Sequence, residues 1–68
     1  MEVKYFDDSD TLFIQFNQKQ ISETRELNEI TYVDFDHEGI VVSITVEHAM
    51  KSINLNDFSF RKITKLVS

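Results

Sequence analysis

From Ile40 to Glu47 the chain alternates without a break, with Ile40, Val42, Ile44 and Val46 on one side and Val41, Ser43, Thr45 and Glu47 on the other. A two-residue period sends successive side chains to opposite faces of an extended chain, which no helix does. The segment is a strand. Its rich apolar side predicts a place inside a sheet, with a neighbouring strand on each edge.

The rest of the sequence supplies those neighbours. Val3–Phe6 reads as a short first strand, followed by the turn-forming cluster Asp7-Asp8-Ser9-Asp10, whose side chains bond nearby backbone amides. Thr11–Phe16 is a second strand, with Leu12, Ile14 and Phe16 on one face and Thr11, Phe13 and Gln15 on the other. After Asn17–Gln20, the segment Ile21–Leu27 alternates loosely and carries many charges. That is the composition of an edge strand that discourages pairing with other chains. Ile30–Asp36 puts Ile30 and Tyr32 opposite Thr31, Val33 and Phe35. Asp36-His37-Glu38-Gly39 then predicts a tight hairpin, with the chain's only glycine in the left-handed position that closes a type I turn with a bulge.

Beyond Glu47 the period changes. His48–Lys51 fits one helical turn. Asn56-Asp57 resembles a helix start; Phe60, Ile63 and Val67 fall at helical spacing, and Lys62 and Lys65 sit late, where the helix dipole favours cations. These features predict a helix over 56–66, with a strand through Arg61–Thr64 as the alternative. The fold class expected is α+β, mainly β: a small antiparallel sheet of four to five strands in meander-like hairpins, with a short C-terminal helix. Residues 1–68 form one domain, with the sheet in 1–47 and a helical or irregular basic tail in 48–68.

At 68 residues without cysteine, the chain has no disulfide, no thiolate metal site and no cysteine nucleophile. Two histidines, His37 and His48, are too few for a structural zinc site. No apolar run approaches the roughly 20 residues of a membrane span, and the first residues lack the pattern of a signal peptide, so the expected location is cytoplasmic. Charge is uneven. Residues 1–47 hold eleven acids against three bases, whereas 48–68 hold Asp57 against Lys51, Arg61, Lys62 and Lys65. An acidic body repels phosphates, which makes nucleic acid an unlikely ligand and a basic protein the better electrostatic match.

Few residues invite chemistry. Asp7, Asp8 and Asp10 are carboxylates that a divalent cation would accept, but the glycine and distal glutamate of a calcium loop are missing. Asp34 and Asp36 are two apart on a predicted strand and point to one face, with His37 beside them. That trio is the alternative reading: a small metal- or ligand-binding domain, or an acid/base enzyme. The bland reading is a strand end passing into a polar turn. No Ser-His-Asp arrangement and no phosphate-cradling glycine loop is present, so no catalytic residue and no cofactor is assigned. Phe13, on the less apolar face of its strand, is the aromatic residue best placed to touch a partner, with Asp34, Asp36 and His37 as further contacts.

Taken in order, Tyr5–Phe16, Ser22–Leu27, Val33–Gly39 and Val41–Val46 with Ala49–Lys51 resemble a prokaryotic family called domain of unknown function 2283. Tyr5-Phe6-Asp7-Asp8-Ser9-Asp10-Thr11-Leu12-Phe13-Ile14-Gln15-Phe16 is similar to its opening of Tyr, Asp, a second Asp and a Leu-x-Ile strand. Ser22-Glu23-Thr24-Arg25-Glu26-Leu27 resembles its Glu-Thr-x-Glu-Leu segment, and Val33-Asp34-Phe35-Asp36-His37-Glu38-Gly39 its Val-Asp-Tyr-Asp-x-x-Gly hairpin. Val41–Val46 with Ala49-Met50-Lys51 is similar to its last strand and following turn. The resemblance covers residues 3–52 and departs at Ser43 and Thr45, where the family often has Gly and Glu. It implies a small antiparallel sheet and no assigned activity. Some family members lie beside genes for small RNase-like toxins, which implies an antitoxin-like role.

The reading of first choice is thus a non-enzymatic protein-interaction domain, in its sharper form an antitoxin-like inhibitor of a basic RNase-type toxin. A homodimer is also expected. The strands carry apolar residues on both faces, one short helix covers only one of them, and a two-fold interface hides the same patch on two chains at once. If the basic tail meets an acidic neighbour there, dimerisation weakens with salt.

Overall fold

In the computed structural model, which describes residues 1–65, five strands form one antiparallel sheet: β1 (Glu2–Phe6), β2 (Thr11–Gln15), β3 (Glu23–Asn28), β4 (Thr31–Phe35) and β5 (Val41–Val46). Their spatial order is β1-β2-β5-β4-β3. The alternating segment is therefore the central strand, and the charged β3 is an edge, as the sequence predicts. β3, β4 and β5 form a meander and β1–β2 a hairpin. The two are joined by β5 lying antiparallel to β2, so β2 and β3 are consecutive in sequence but not adjacent.

The linking segment runs across one end of the sheet. The Asn17 side-chain amide donates to the Val41 carbonyl at 3.0 Å, and the Ser22 N–H donates to the Phe35 carbonyl at 2.8 Å. Lys19 Nζ lies 3.9 Å from Asp36 Oδ2. This segment lies against the β4–β5 hairpin, which closes as expected: the Gly39 N–H donates to the Asp36 carbonyl at 3.1 Å, and Gly39 has φ +83°. A Cβ at Gly39 would meet nothing within 4 Å, so a side chain there strains only the backbone. Gly39→Val is expected to cost about 1–2 kcal/mol in chemical denaturation, because a β-branched residue resists positive φ.

Register assigns the faces. One row reads Val3, Ile14, Ile44, Val33, Arg25 across all five strands, and the next reads Tyr5, Leu12, Val46, Thr31, Asn28. This is the apolar face. On the other side one row reads Glu2, Gln15, Ser43, Asp34, Thr24, and the next reads Lys4, Phe13, Thr45, Tyr32, Glu26. This is the polar face.

The C-terminal helix expected over 56–66 is absent among the described residues. A 3-10 turn, Ala49–Lys51, is the only helical element among the described residues, and residues 56–65 are irregular. Leu66 and Val67 lie outside the described residues. The physical reason is length and composition. Helices this short are marginal without a docking surface, and Asn56, Asp57, Ser59 and Thr64 are weak helix formers. Phe58, Phe60 and Ile63 are all exposed rather than docked.

Without that helix, neither face has a second layer of secondary structure among the described residues. Among the described residues, the buried apolar ones are Leu12, Val33, Val42 and Ala49. Three large side chains are little to set against the entropy of ordering a chain of this size.

Candidate functional site

Asp34 stands near the middle of the polar face. It accepts hydrogen bonds from the Thr24 hydroxyl on β3 at 2.5 Å and from the Ser43 hydroxyl on β5 at 2.6 Å. Register makes this inevitable, because Thr24, Asp34 and Ser43 are direct cross-strand partners. The result is a carboxylate held by two hydroxyls across three strands. It is no nucleophile site: Ser43 is 0% exposed, its proton goes to Asp34, and neither histidine bonds to it among the described residues.

Asp36 does something else. It lies just past the end of β4 and is only 6% exposed. Its Oδ1 accepts the N–H of Glu38 at 2.9 Å and of Ile40 at 2.8 Å. Asp34 and Asp36, expected as a pair, thus have separate hydrogen-bond partners. One holds the sheet's polar row, the other is folded inside the hairpin, and each has its own donors. The N–H donated by Ile40 is the chief reason the Asp36 carboxyl is held below its ordinary range. Burial opposes this, while the Glu38 N–H, Lys19 and His37 add to it. His37 is exposed at the hairpin tip, 3.6 Å from Glu38. Among the described residues no group of three or more His, Cys, Asp or Glu is placed to hold a metal ion.

A third cluster joins the first turn to the C-terminal segment. Asp10 takes a left-handed conformation, φ 53°, which aspartate tolerates better than most residues. Its Oδ1 accepts the Tyr5 hydroxyl at 2.7 Å and the Met50 N–H at 3.1 Å, while its carbonyl accepts the Ala49 N–H at 3.0 Å. Asp10 thus ties the β1–β2 hairpin to the 3-10 turn and fixes where the chain leaves the sheet. From there residues 50–59 pass over the Val3–Tyr5–Leu12 corner of the apolar face, leaving an open groove. The sequence marks Asp10 as a turn residue that bonds backbone. Nothing local in the sequence says that the backbone it bonds lies 40 residues away.

Donation to Asp10, helped by burial and by the charges of Asp10 and Asp7, pushes the Tyr5 phenol up to about 12 from the ordinary value of 10.0. A phenol raised on folding contributes stability that is whole below pH about 10 and is lost as pH climbs toward the folded value. In a 295 nm titration Asp10→Ala is expected to bring one tyrosine back toward 10.0. An unchanged curve would mean that the Tyr5–Asp10 bond does not form in solution.

The two faces differ in what they offer. On the polar face the half-buried rings of Phe13 and Tyr32 lie among Glu2, Glu26, Asp34 and Glu47, with Lys4 as the base in the same rows. Glu47 is the main cause, with burial and Glu26 behind it, of the upward shift of the Tyr32 phenol. The apolar face carries no charge until β3, where Arg25 pairs with Glu23 at 3.0 Å and lies 4.9 Å from the centre of the Phe35 ring.

The family model for the protein of unknown function DUF2283 matches residues 2–49, which span all five strands and the start of the 3-10 turn. The chain belongs to the DUF2283 family. The matched stretch contains every residue of the three polar clusters except Met50. No curated protein and no solved structure matches the chain. No helix among the described residues is long and apolar enough to cross a membrane.

Proposed function

We propose that this DUF2283 domain is a non-enzymatic protein-interaction domain whose polar face receives a basic protein, in the manner of an antitoxin-like inhibitor seated on an RNase-type toxin. The observation that carries this reading is the polar face itself. It is a shallow surface with an aromatic centre, Phe13 and Tyr32, set among carboxylates. Aromatic residues supply contact area, and surrounding charge selects the partner and speeds encounter. Phe13 and Asp34 lie on this surface and His37 at the hairpin tip beyond it. Asp36 serves it indirectly, by holding the hairpin.

The test is co-expression with the product of the adjacent gene, followed by titration of the purified pair. If that product is a basic ribonuclease, the reading requires a complex that weakens at least about tenfold between low and high salt, as screening of complementary charge demands. It also requires inhibition of the ribonuclease. Reversing charge with Glu26→Lys and Glu47→Lys should weaken binding further while leaving the domain folded. Absence of a complex, or a complex indifferent to both salt and charge reversal, contradicts the proposal.

A further inference from the structure

The apolar face is the larger unexplained feature of the molecule. Its central row, Val3–Ile14–Ile44–Val33, is aliphatic across four strands, and Leu12, Val46, Val42 and Phe35 flank it. The irregular segment 50–59 borders its Val3–Tyr5–Leu12 corner, with Ile53 and Leu55 half-buried and Met50 and Phe58 exposed. Phe16 and Ile40, at the opposite end, are each more than a third exposed.

We propose that this face packs against the same face of a second copy of the chain, forming a two-fold sandwich of two sheets. Three observations select a second copy over other occupants. The first is area. The chain exposes 5831 Å², whereas a compact monomer of its mass exposes about 4,500 Å². The irregular segment contributes to that excess of roughly 1,300 Å², and what an ordinary interface takes, about 800 Å² from each partner, fits within it. The second is charge. The protein carries a net −5, yet the central row has no charge until Arg25, which is already paired with Glu23. A basic partner is suited to the polar face and gains nothing here, while two copies meet on this side without repulsion between the surfaces in contact. The third is necessity. With so few apolar residues buried, the face needs a cover whenever the chain is folded, and a second copy is the partner always present with it. Aligned sheets interdigitate aliphatic rows of this kind about 10 Å apart.

This arrangement is independent of the basic partner. It also makes a distinct statement about salt: an interface without charge holds its affinity as ionic strength rises, whereas a contact between the basic tail and an acidic neighbour loses it.

The test is sedimentation equilibrium on the full chain up to about 100 µM, in about 0.05 and 0.5 M NaCl, joined to isotope-filtered NMR on a mixture of labelled and unlabelled protein. The expected result is a species of about 16 kDa, twice the chain mass, at both salt concentrations. Intermolecular contacts are expected from the methyl groups of Ile14, Val33 and Ile44. A folded monomer at the highest concentration overturns the proposal, and contacts from Phe58, Phe60 or Ile63 to Ile44 within that monomer would name the tail as the cover instead. A dimer whose intermolecular contacts come from Phe13, Thr45 and Tyr32, or one that dissociates at high salt, overturns it as well. Variants such as Ile44→Lys risk unfolding the domain, so the mapping is done on the wild-type chain. Because Glu26→Lys and Glu47→Lys lie on the opposite face, they should leave this dimer intact even where they abolish binding to a basic protein, so the two proposals fail separately.

Discussion

Val42→Asp is expected to leave no folded protein. Val42 is 2% exposed and lies on the central strand, where its carbonyl accepts the Phe16 N–H at 2.8 Å and its side chain is, among the described residues, one of three large apolar groups taken out of water. An unpaired carboxylate at that position costs several kcal/mol, as much as the whole stability of about 3–5 kcal/mol that a single small core supplies. Amide NMR dispersion and far-UV circular dichroism should both collapse. Val42→Ala removes two methylene equivalents and should cost about 2 kcal/mol while keeping the fold. A well-dispersed Val42→Asp spectrum would show that β5 is not the buried centre of the sheet.

The second large effect belongs to Asp36. Its folded carboxyl is held below the ordinary value of 3.8, chiefly by the Ile40 N–H. A group depressed in this way stabilises the fold fully above its unfolded pKa and loses that contribution as pH falls through the folded one, so the window lies below pH about 4. Wild-type protein should therefore lose stability as pH falls through this window, and Asp36→Asn should flatten that limb. Asp36→Ala leaves the Glu38 and Ile40 N–H groups without their acceptor. At neutral pH it should lower the melting temperature by roughly 5–10 °C. Asp34→Asn keeps an acceptor for Thr24 and Ser43 and should do less. If Asp36→Ala melts like wild type, the hairpin is held by its backbone alone.

Strands β2, β4 and β5 were legible because each has one side taken out of water, which writes its period into the sequence, whereas β1 and β3 are exposed throughout and show only as short alternating or charged runs. Ile40–Glu47 fixed the centre, the charges of Glu23, Arg25 and Glu26 marked the edge, and the Asp36–Gly39 turn paired β4 with β5. The order β1-β2-β5-β4-β3 was not legible, because it depends on Asn17, Lys19 and Ser22 finding partners across the end of the sheet. Phe60 and Ile63 suggested a helix because spacing alone does not show whether a surface exists for them to dock on. The polar clusters were half visible. Asp34 and Asp36 share a strand parity in the sequence, but strand β4 stops between them, and what each carboxylate does is decided by donors that register alone reveals.

A polar face for a basic protein and an apolar face for a second copy make one account, in which the sheet is a single layer completed by association. Its most direct test is the melting temperature of the full chain from about 2 to 200 µM. When folding requires association, mass action stabilises the concentrated sample, and for two chains of this size a hundredfold change should raise the midpoint on the order of 10 °C. A midpoint that stays constant across that range, with a cooperative transition, would mean that the single sheet stands alone, and would contradict the account.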